Sequence, residues 1–231
     1  MKKTTINHQK QLLSQVRSNI ELAKNKNIPP SWKFPSYSTG IFELREEFIT
    51  HGSFAAVSKD WVSKLAAWIG ESTVLEIGAG NGMLARALQE FGVTITPTDD
   101  FSWKESGKLV KDSTYKKKSK EIQTWTEVLK LDYADAIEKF GADLLLLCWP
   151  PYSEPLATNA VEAFFQKNPT GLVIYIGEGF GGCTANDRFF EVTEPVDDSF
   201  DERFFEAANL FRSWPGIHDQ LSLVRRSTSI I

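Results

Sequence analysis

The sequence predicts an α/β domain built on a doubly wound, mostly parallel sheet with helices on both faces. Apolar runs of strand length occur at residues 74–77, 93–98 and 143–148. Between them, apolar side chains recur every three or four positions, as they do in amphipathic helices. The first run passes directly into a glycine-rich loop, residues 78–82, and then into such a helix. This alternation of strand and helix favours parallel strands that are covered on both sides.

Composition and charge are those of an ordinary globular chain of 231 residues, with 42% hydrophobic and 24% charged side chains. A formal net charge of −4 gives no overall attraction to nucleic acid or to anionic lipid. The only cysteines, Cys148 and Cys183, are too few for a disulfide framework. Because no classical signal peptide or apolar run of about 18 residues is present, we expect a cytoplasmic protein without a membrane partner.

Residues 1–52 are predicted to form a helical and proline-rich extension, followed by the main domain at residues 53–231. The first helix is expected to end near residues 25–27. Prolines between residues 28 and 40 then interrupt regular structure, and the aromatic side chains among them predict packing against the domain. Ser53 is predicted to cap the first helix of the main domain.

The spacing of the glycine loop separates two classes of nucleotide site. Gly78, Gly80 and Gly82 alternate along the chain, and Glu76 precedes the first of them by two residues. A dinucleotide-binding fingerprint needs its third glycine three residues after the second, where this chain has Met83. The loop is therefore suited to close approach of a ligand to the backbone, but it does not match an NAD site.

This pattern resembles the first motif of class I S-adenosylmethionine (SAM) dependent methyltransferases. The second strand ends in Asp99, 17 residues beyond Gly82. In that family an acid at this place holds both ribose hydroxyls, a task suited to a carboxylate because its oxygens only accept hydrogen bonds. The resemblance implies SAM as the cofactor. It also implies a seven-stranded sheet with an antiparallel C-terminal hairpin strand.

The resemblance extends the predicted cofactor site to the third and fourth strands. Asp132 ends the predicted third strand, residues 127–131, where the family commonly places a contact to the adenine. The same side chain could instead simply cap the following helix. No metal is predicted. The predicted cofactor-binding residues are Glu76, Gly78, Gly80, Gly82, Asp99, Asp132 and Cys148, the last at the end of the fourth strand.

The fourth strand is uniformly apolar, hence central, and leads into Trp149-Pro150-Pro151-Tyr152. This tetrapeptide resembles the Asn/Asp/Ser-Pro-Pro-aromatic motif of methyltransferases that act on amino groups. Trp149 departs from that motif, because an indole donates a hydrogen bond and cannot accept one. The motif retains a rigid turn flanked by aromatic rings, which suits stacking on a flat or cationic acceptor. Simple packing at the end of the strand is the alternative.

Glu178 is the one carboxylate in a glycine-dense loop, residues 177–184, that follows the fifth strand. Loops that follow adjacent parallel strands meet at the same edge of a sheet. We therefore predict that Glu178, Trp149 and Tyr152 border one pocket and are the catalytic candidates, with Glu178 as general base or substrate anchor. A solvated loop acid is the competing interpretation.

The predicted function is transfer of a methyl group from SAM to an N or O atom of a small or planar acceptor. One alternative is a noncatalytic SAM-fold binding or interaction protein, which the replacement of a hydrogen-bond acceptor by Trp149 supports. Another is a different α/β nucleotide-binding enzyme. A nucleic acid partner has weak support, because the lysine-rich residues 104–120 include only Tyr115 as an aromatic side chain. The sequence gives neither the acceptor nor the oligomeric state.

Overall fold

The computed structural model describes residues 2–36, 40–102, 124–196 and 201–228. The lysine-rich residues 104–120 lie outside these ranges. The helices are α1 Lys2–Lys24, α2 Ile41–Ile49, α3 Lys59–Ile69, α4 Met83–Gln89, α5 Tyr133–Lys139, α6 Leu156–Lys167, α7 Asp187–Val192 and α8 Glu202–Leu210. The strands are β1 Val74–Ile77, β2 Ile95–Asp99, β3 Leu129–Lys130, β4 Leu144–Cys148, β5 Leu172–Gly177, β6 Thr193–Pro195 and β7 Gln220–Arg226. Within the described ranges, no helix is both long enough and apolar enough to cross a membrane.

The strands form one seven-stranded sheet in the order β3-β2-β1-β4-β5-β7-β6. Neighbours among β1 to β5 pair in parallel, whereas β7 is antiparallel to both β5 and β6. This confirms the predicted fold class, including the antiparallel strand near the C-terminus. Because the strand order reverses between β1 and β4, the carboxyl ends of these two strands flank the place where doubly wound sheets bind ligands.

Two apolar layers cover the sheet, because alternate residues of its central strands point to opposite faces. Leu75, Ile77 and Leu145 belong to the layer that includes apolar residues of α5 and α6. Val74 and Leu146 belong to the other layer, with residues of α3, α4 and α8. Burial on both faces explains why β1 and β4 are continuously apolar apart from Glu76.

The N-terminal extension shares the second of these layers. Trp32 is 2% exposed, and its ring centroid lies 5.1 Å from that of Phe48 on α2 and 5.2 Å from that of Trp214. Its indole N–H donates to the carbonyl oxygen of Val57 at 3.0 Å. The extension therefore packs into the hydrophobic core, as its aromatic content indicated. The division of the chain at residues 52 and 53 stays a prediction.

The predicted start of the first helix of the main domain, at Ser53, was wrong. Helix α3 begins at Lys59, after Ser58 in the N-cap position. The backbone N–H of Lys59 donates to the carbonyl oxygen of Pro29 at 2.8 Å, and this contact from the extension helps to fix the helix start. The Ser53 hydroxyl instead accepts the N–H of Ala55. The third strand is also shorter than the predicted residues 127–131, since only Leu129–Lys130 pair with β2.

Candidate active site

The glycine loop follows β1 at the carboxyl edge of the sheet. Gly78, Gly80 and Gly82 have φ angles of 70°, 58° and 77°, in the left-handed region that favours glycine. A Cβ atom at Gly82 would lie 2.9 Å from Val128 and 3.0 Å from Thr126, whereas one at Gly80 would meet nothing within 4 Å. Gly82 is therefore required by packing, and Gly80 borders open space.

Asp99, at the end of β2, contacts the loop directly. Its side chain is buried, its Oδ2 accepts the N–H of Gly80 at 2.8 Å, and its Oδ1 accepts the N–H of Phe101 at 2.7 Å. The loop is also tied to β2 by the N–H of Ala79, which donates to the carbonyl oxygen of Thr98 at 3.0 Å. These bonds fix both the position of the Asp99 carboxylate and the path of the loop.

Glu76 lies below the loop and is 1% exposed. Burial and, to a smaller extent, the nearby charge of Asp99 together raise its pKa to about 8. Burial, followed by the field of Glu76, likewise raises the pKa of the Cys148 thiol at the end of β4. The floor of the site therefore holds a carboxyl and a thiol that are both mainly protonated at neutral pH.

Asp132 occupies the N-cap position of α5, where its Oδ1 accepts the N–H of Asp135 at 2.8 Å. The capping interpretation of this residue is thus confirmed. Its contact with a cofactor stays a prediction, since a carboxylate that caps a helix through one oxygen retains a second one.

Asn81 and Trp125 support the outer side of the glycine loop, and sequence reasoning missed both. The side-chain N–H of Asn81 donates to the backbone carbonyl oxygen of Gly52, and the side-chain oxygen of Asn81 accepts the N–H of Met83 at 3.1 Å. The backbone N–H of Trp125 donates to the backbone carbonyl oxygen of Asn81 at 2.8 Å. The indole N–H of Trp125 donates to the backbone carbonyl oxygen of His51 at 2.7 Å. Residues 51 and 52 thereby lie against the loop, although nothing in their own sequence signals this contact.

Trp149 follows β4 in a left-handed conformation, with φ 55°, and is half-buried. Its indole N–H donates to Asp219 Oδ2 at 2.9 Å. Its ring stacks on that of Phe54, with centroids 5.5 Å apart and planes 19° from parallel. The guanidinium carbon of Arg45, on α2, lies over the indole at 5.4 Å from the ring centroid. The indole N–H of Trp149, which departs from the motif of the amino-methylating enzymes, therefore makes a hydrogen bond within the protein.

Arg45 and Asp219 each contact Trp149, and sequence reasoning found neither of them. They are 8% and 1% exposed. Within the described residues, Asp219 Oδ1 and Arg45 Nε have no hydrogen-bond partner. Burial raises the pKa of Asp219, against the opposing effects of the Trp149 hydrogen bond and the Arg45 charge. The position of Asp219, just before the last strand and after a Pro-Gly turn, was its only signal.

Glu178 is bound through both of its carboxylate oxygens. Oε2 accepts the N–H of Cys183 at 2.8 Å, and Oε1 accepts the N–H of His218 at 3.0 Å. Hydrogen bonds from Cys183 and then from the His218 backbone hold the pKa of Glu178 below its usual value. Because a lowered pKa makes a carboxylate a weaker base, this geometry favours an anchor of the loop. The general-base role stays a prediction.

The segment after β4 and the loop after β5 meet at this edge. Pro151 and Thr184 form an antiparallel bridge, and the N–H of Ala185 donates to the carbonyl oxygen of Pro150 at 2.9 Å. Tyr152 is 46% exposed, so nearly half of its surface is accessible. The structure thus joins the Trp149–Tyr152 segment to the Glu178 loop, although the common pocket stays a prediction.

No protein-family model and no curated protein matches the chain. Solved structures do resemble it. MtNAS in complex with SAM is 13% identical over 97% of this chain and 75% of that chain, with a TM-score of 0.44. Magnesium protoporphyrin IX methyltransferase from Synechocystis PCC 6803 with bound SAM is 11% identical over 83% and 86%, with a TM-score of 0.43. A ribosomal protein methylase from Lactobacillus delbrueckii subsp. bulgaricus is 15% identical over 73% and 77%, with a TM-score of 0.37.

Among these solved structures, two hold SAM, and two are methylating enzymes by name. At TM-scores below 0.5 they add nothing to what the strand order itself shows. The class of the fold therefore rests on the sheet, and the activity of this chain has to be argued from its own site.

The bond between Trp149 and Asp219 gives a stability prediction. We expect Trp149→Phe to lower the free energy of unfolding by about 1–3 kcal/mol more than Trp68→Phe, because it leaves a buried carboxylate oxygen without a partner. Trp68 is the matched control, since its indole N–H donates to Asp201 Oδ2 at the same 2.9 Å, but Asp201 is half-buried and water can replace the donor. Urea denaturation of both variants measures the difference. Equal losses would show that the Trp149–Asp219 bond contributes no more to the free energy of unfolding than the Trp68–Asp201 bond.

Proposed function

We propose that the chain binds SAM at the carboxyl edge of β1 and β2 and transfers its methyl group to an N or O atom of a small or planar acceptor. The observation that most supports this proposal is the contact between Gly80 and Asp99. A left-handed glycine that borders open space donates its N–H to a carboxylate fixed at the end of the next strand. This combination suits a ligand that brings a hydroxylated sugar against exposed backbone.

The residues present fit SAM chemically. Asp99 would hold the ribose hydroxyls, the glycine loop would lie against the ligand, and Glu76 and Cys148 would form the floor of the site. When bound, SAM supplies a methyl group on a positively charged sulfur. The chain itself would then contribute orientation of the two reactants and exclusion of water.

The acceptor side of the proposed site lies around Trp149. Phe54 and Tyr152 are 40% and 46% exposed, so each offers a ring for stacking on a planar acceptor. Asp219 is a buried carboxyl group next to Trp149, and burial raises its pKa, which makes it a stronger base than an exposed aspartate. We propose Asp219, alongside Glu178, as a candidate base for an acceptor that must lose a proton.

A second candidate function is SAM binding without catalysis. It is favoured by the bonds that occupy the predicted catalytic groups: both oxygens of Glu178 accept backbone N–H groups, and the Trp149 N–H is held by Asp219. Both candidate functions require SAM binding, so only an assay of methyl transfer distinguishes them.

Calorimetric titration tests the shared step. We expect saturable heat with SAM and with its demethylated product, S-adenosylhomocysteine, and no heat with NAD, because Met83 stands where a dinucleotide site has glycine. Binding of NAD in place of SAM would favour another α/β nucleotide-binding enzyme. Transfer of labelled methyl from SAM to any member of a panel of phenols, amines and lactams would then separate the enzyme from the noncatalytic protein.

A further inference from the structure

Glu76 is a carboxyl group placed in the middle of an apolar sheet. It lies on β1 with Pro97 of β2 and Leu146 of β4 as its neighbours in register. The residue is 1% exposed, and its Oε2 has no hydrogen-bond partner within the described residues. A buried carboxyl oxygen without a partner lowers stability, so its presence on β1, two residues before the glycine loop, calls for an explanation.

The groups that face Glu76 are acidic or neutral. Asp99 approaches from β2 and Cys148 from β4. Within the described part of the chain, no lysine or arginine acts on the Glu76 carboxyl strongly enough to offset burial, and its pKa is raised to about 8. At pH 7 the carboxyl therefore keeps its proton, and within the described residues no positive charge balances the Glu76 carboxyl.

We propose that Glu76 makes this site select a positively charged ligand, and that binding of such a ligand expels the Glu76 proton to solvent. The inference rests on the proposed function, because the cation it points to is the sulfonium of SAM. A cation placed near two buried acids stabilises the ionised form of both. The O–H bond of the Glu76 carboxyl breaks, the proton passes to buffer, and the carboxylate remains as the counterion of the ligand.

The proposal predicts that SAM and its demethylated product differ in how strongly they favour ionised Glu76. Methyl transfer converts the sulfonium to a neutral thioether, so the product lacks the charge that favours ionised Glu76. The α-amino group is common to both ligands and is mainly protonated at pH 7. The sulfonium lowers its pKa in SAM, so its contribution to proton exchange has to be subtracted by titrating the same two ligands into a Glu76→Gln protein. We therefore expect the affinity for SAM, relative to the product, to rise with pH by at most about tenfold per unit until Glu76 is ionised in the free protein. After transfer, reprotonation of Glu76 would favour release of the product.

Proton release can be measured without catalysis. The full chain is titrated with SAM and with S-adenosylhomocysteine in phosphate and in Tris, whose ionisation enthalpies differ, at pH 7 and at pH 9. With the Glu76 pKa near 8, we expect Glu76 to contribute roughly 0.9 protons to the difference between SAM and the product at pH 7 and roughly 0.1 at pH 9. Glu76→Gln should remove this contribution at pH 7. Asp143→Asn should keep it, because Asp143 binds Thr73 at the opposite edge of the sheet.

The outcomes distinguish this inference from the proposed function. Equal proton release with SAM and with the product, while both bind, overturns the role of Glu76 and leaves SAM binding intact. A Glu76→Gln protein that releases protons as the wild type does overturns it as well. Absence of heat with either ligand overturns the proposed function and this inference with it. If Glu76→Gln fails to fold, the wild-type difference at pH 7 decides the question, because the amino group of both ligands is mainly protonated there: release of close to one more proton with SAM supports the inference, and equal release overturns it.

Discussion

Replacement of Asp99 with alanine is expected to weaken SAM binding by roughly ten- to a hundredfold. A hydrogen bond to a charged group contributes about 1.5–3 kcal/mol, and each 1.4 kcal/mol is a tenfold change in affinity. The variant removes the proposed acceptor for the ribose hydroxyls. It also removes the partner of the Gly80 N–H, which donates to Asp99 Oδ2 at 2.8 Å and helps to hold the loop. Calorimetry with SAM measures the loss.

The adjacent acid provides the control for this experiment. Asp100 is exposed, and its Oδ1 accepts a local bond from the N–H of Ser102 at 2.8 Å. Asp100→Ala changes the net charge by the same amount as Asp99→Ala, so a general electrostatic effect on ligand attraction would appear in both variants. We expect Asp100→Ala to bind SAM within about twofold of wild type, since exposed charges act weakly through water. Equal losses would contradict a specific role for Asp99.

Gly80→Val is expected to abolish measurable SAM binding while the protein still folds. The new side chain would enter the open space beside Gly80, where nothing lies within 4 Å of a Cβ atom. Because this space is the proposed path of the ligand, two added methyl groups would exclude it. The left-handed φ of 58° makes any residue other than glycine unfavourable by about 1–2 kcal/mol, so thermal unfolding should show a modest loss of stability.

Gly92→Val separates exclusion of the ligand from backbone strain. Gly92, in the turn between α4 and β2, has φ 84° and also has nothing within 4 Å of a Cβ atom. It lies at the amino end of β2, away from the proposed site. We expect a similar loss of stability in both variants but normal SAM affinity only in Gly92→Val. If both variants bound SAM as the wild type does, Gly80 would not border the ligand.

The fold could be predicted because its determinants are local. The uniformly apolar β4, the glycine loop after β1 and the alternation of strand with helix each follow from neighbouring residues. The boundary at Ser53 failed for the opposite reason. The start of α3 depends on a bond from Lys59 to Pro29, which is 30 residues away in the chain. Contacts of that kind leave no periodic pattern in the sequence.

The candidate site could be predicted only where strand topology places residues. Asp99 and Gly80 meet because β1 and β2 pair in register, which the motif spacing indicated. Arg45 and Asp219 could not be found in this way. They reach Trp149 from the N-terminal extension and from the turn before β7, and their significance depends on burial. The two bonds that occupy Glu178 likewise depend on the course of two loops.

A crystal structure with S-adenosylhomocysteine bound tests the central claim most directly. The account predicts that the ribose hydroxyls lie within hydrogen-bond distance of the Asp99 carboxylate and that the ligand contacts the backbone at Gly80. It also predicts that the sulfur points toward the space bordered by Trp149 and Tyr152. A ligand bound elsewhere on the protein, or at this edge with its ribose away from Asp99, would contradict the account.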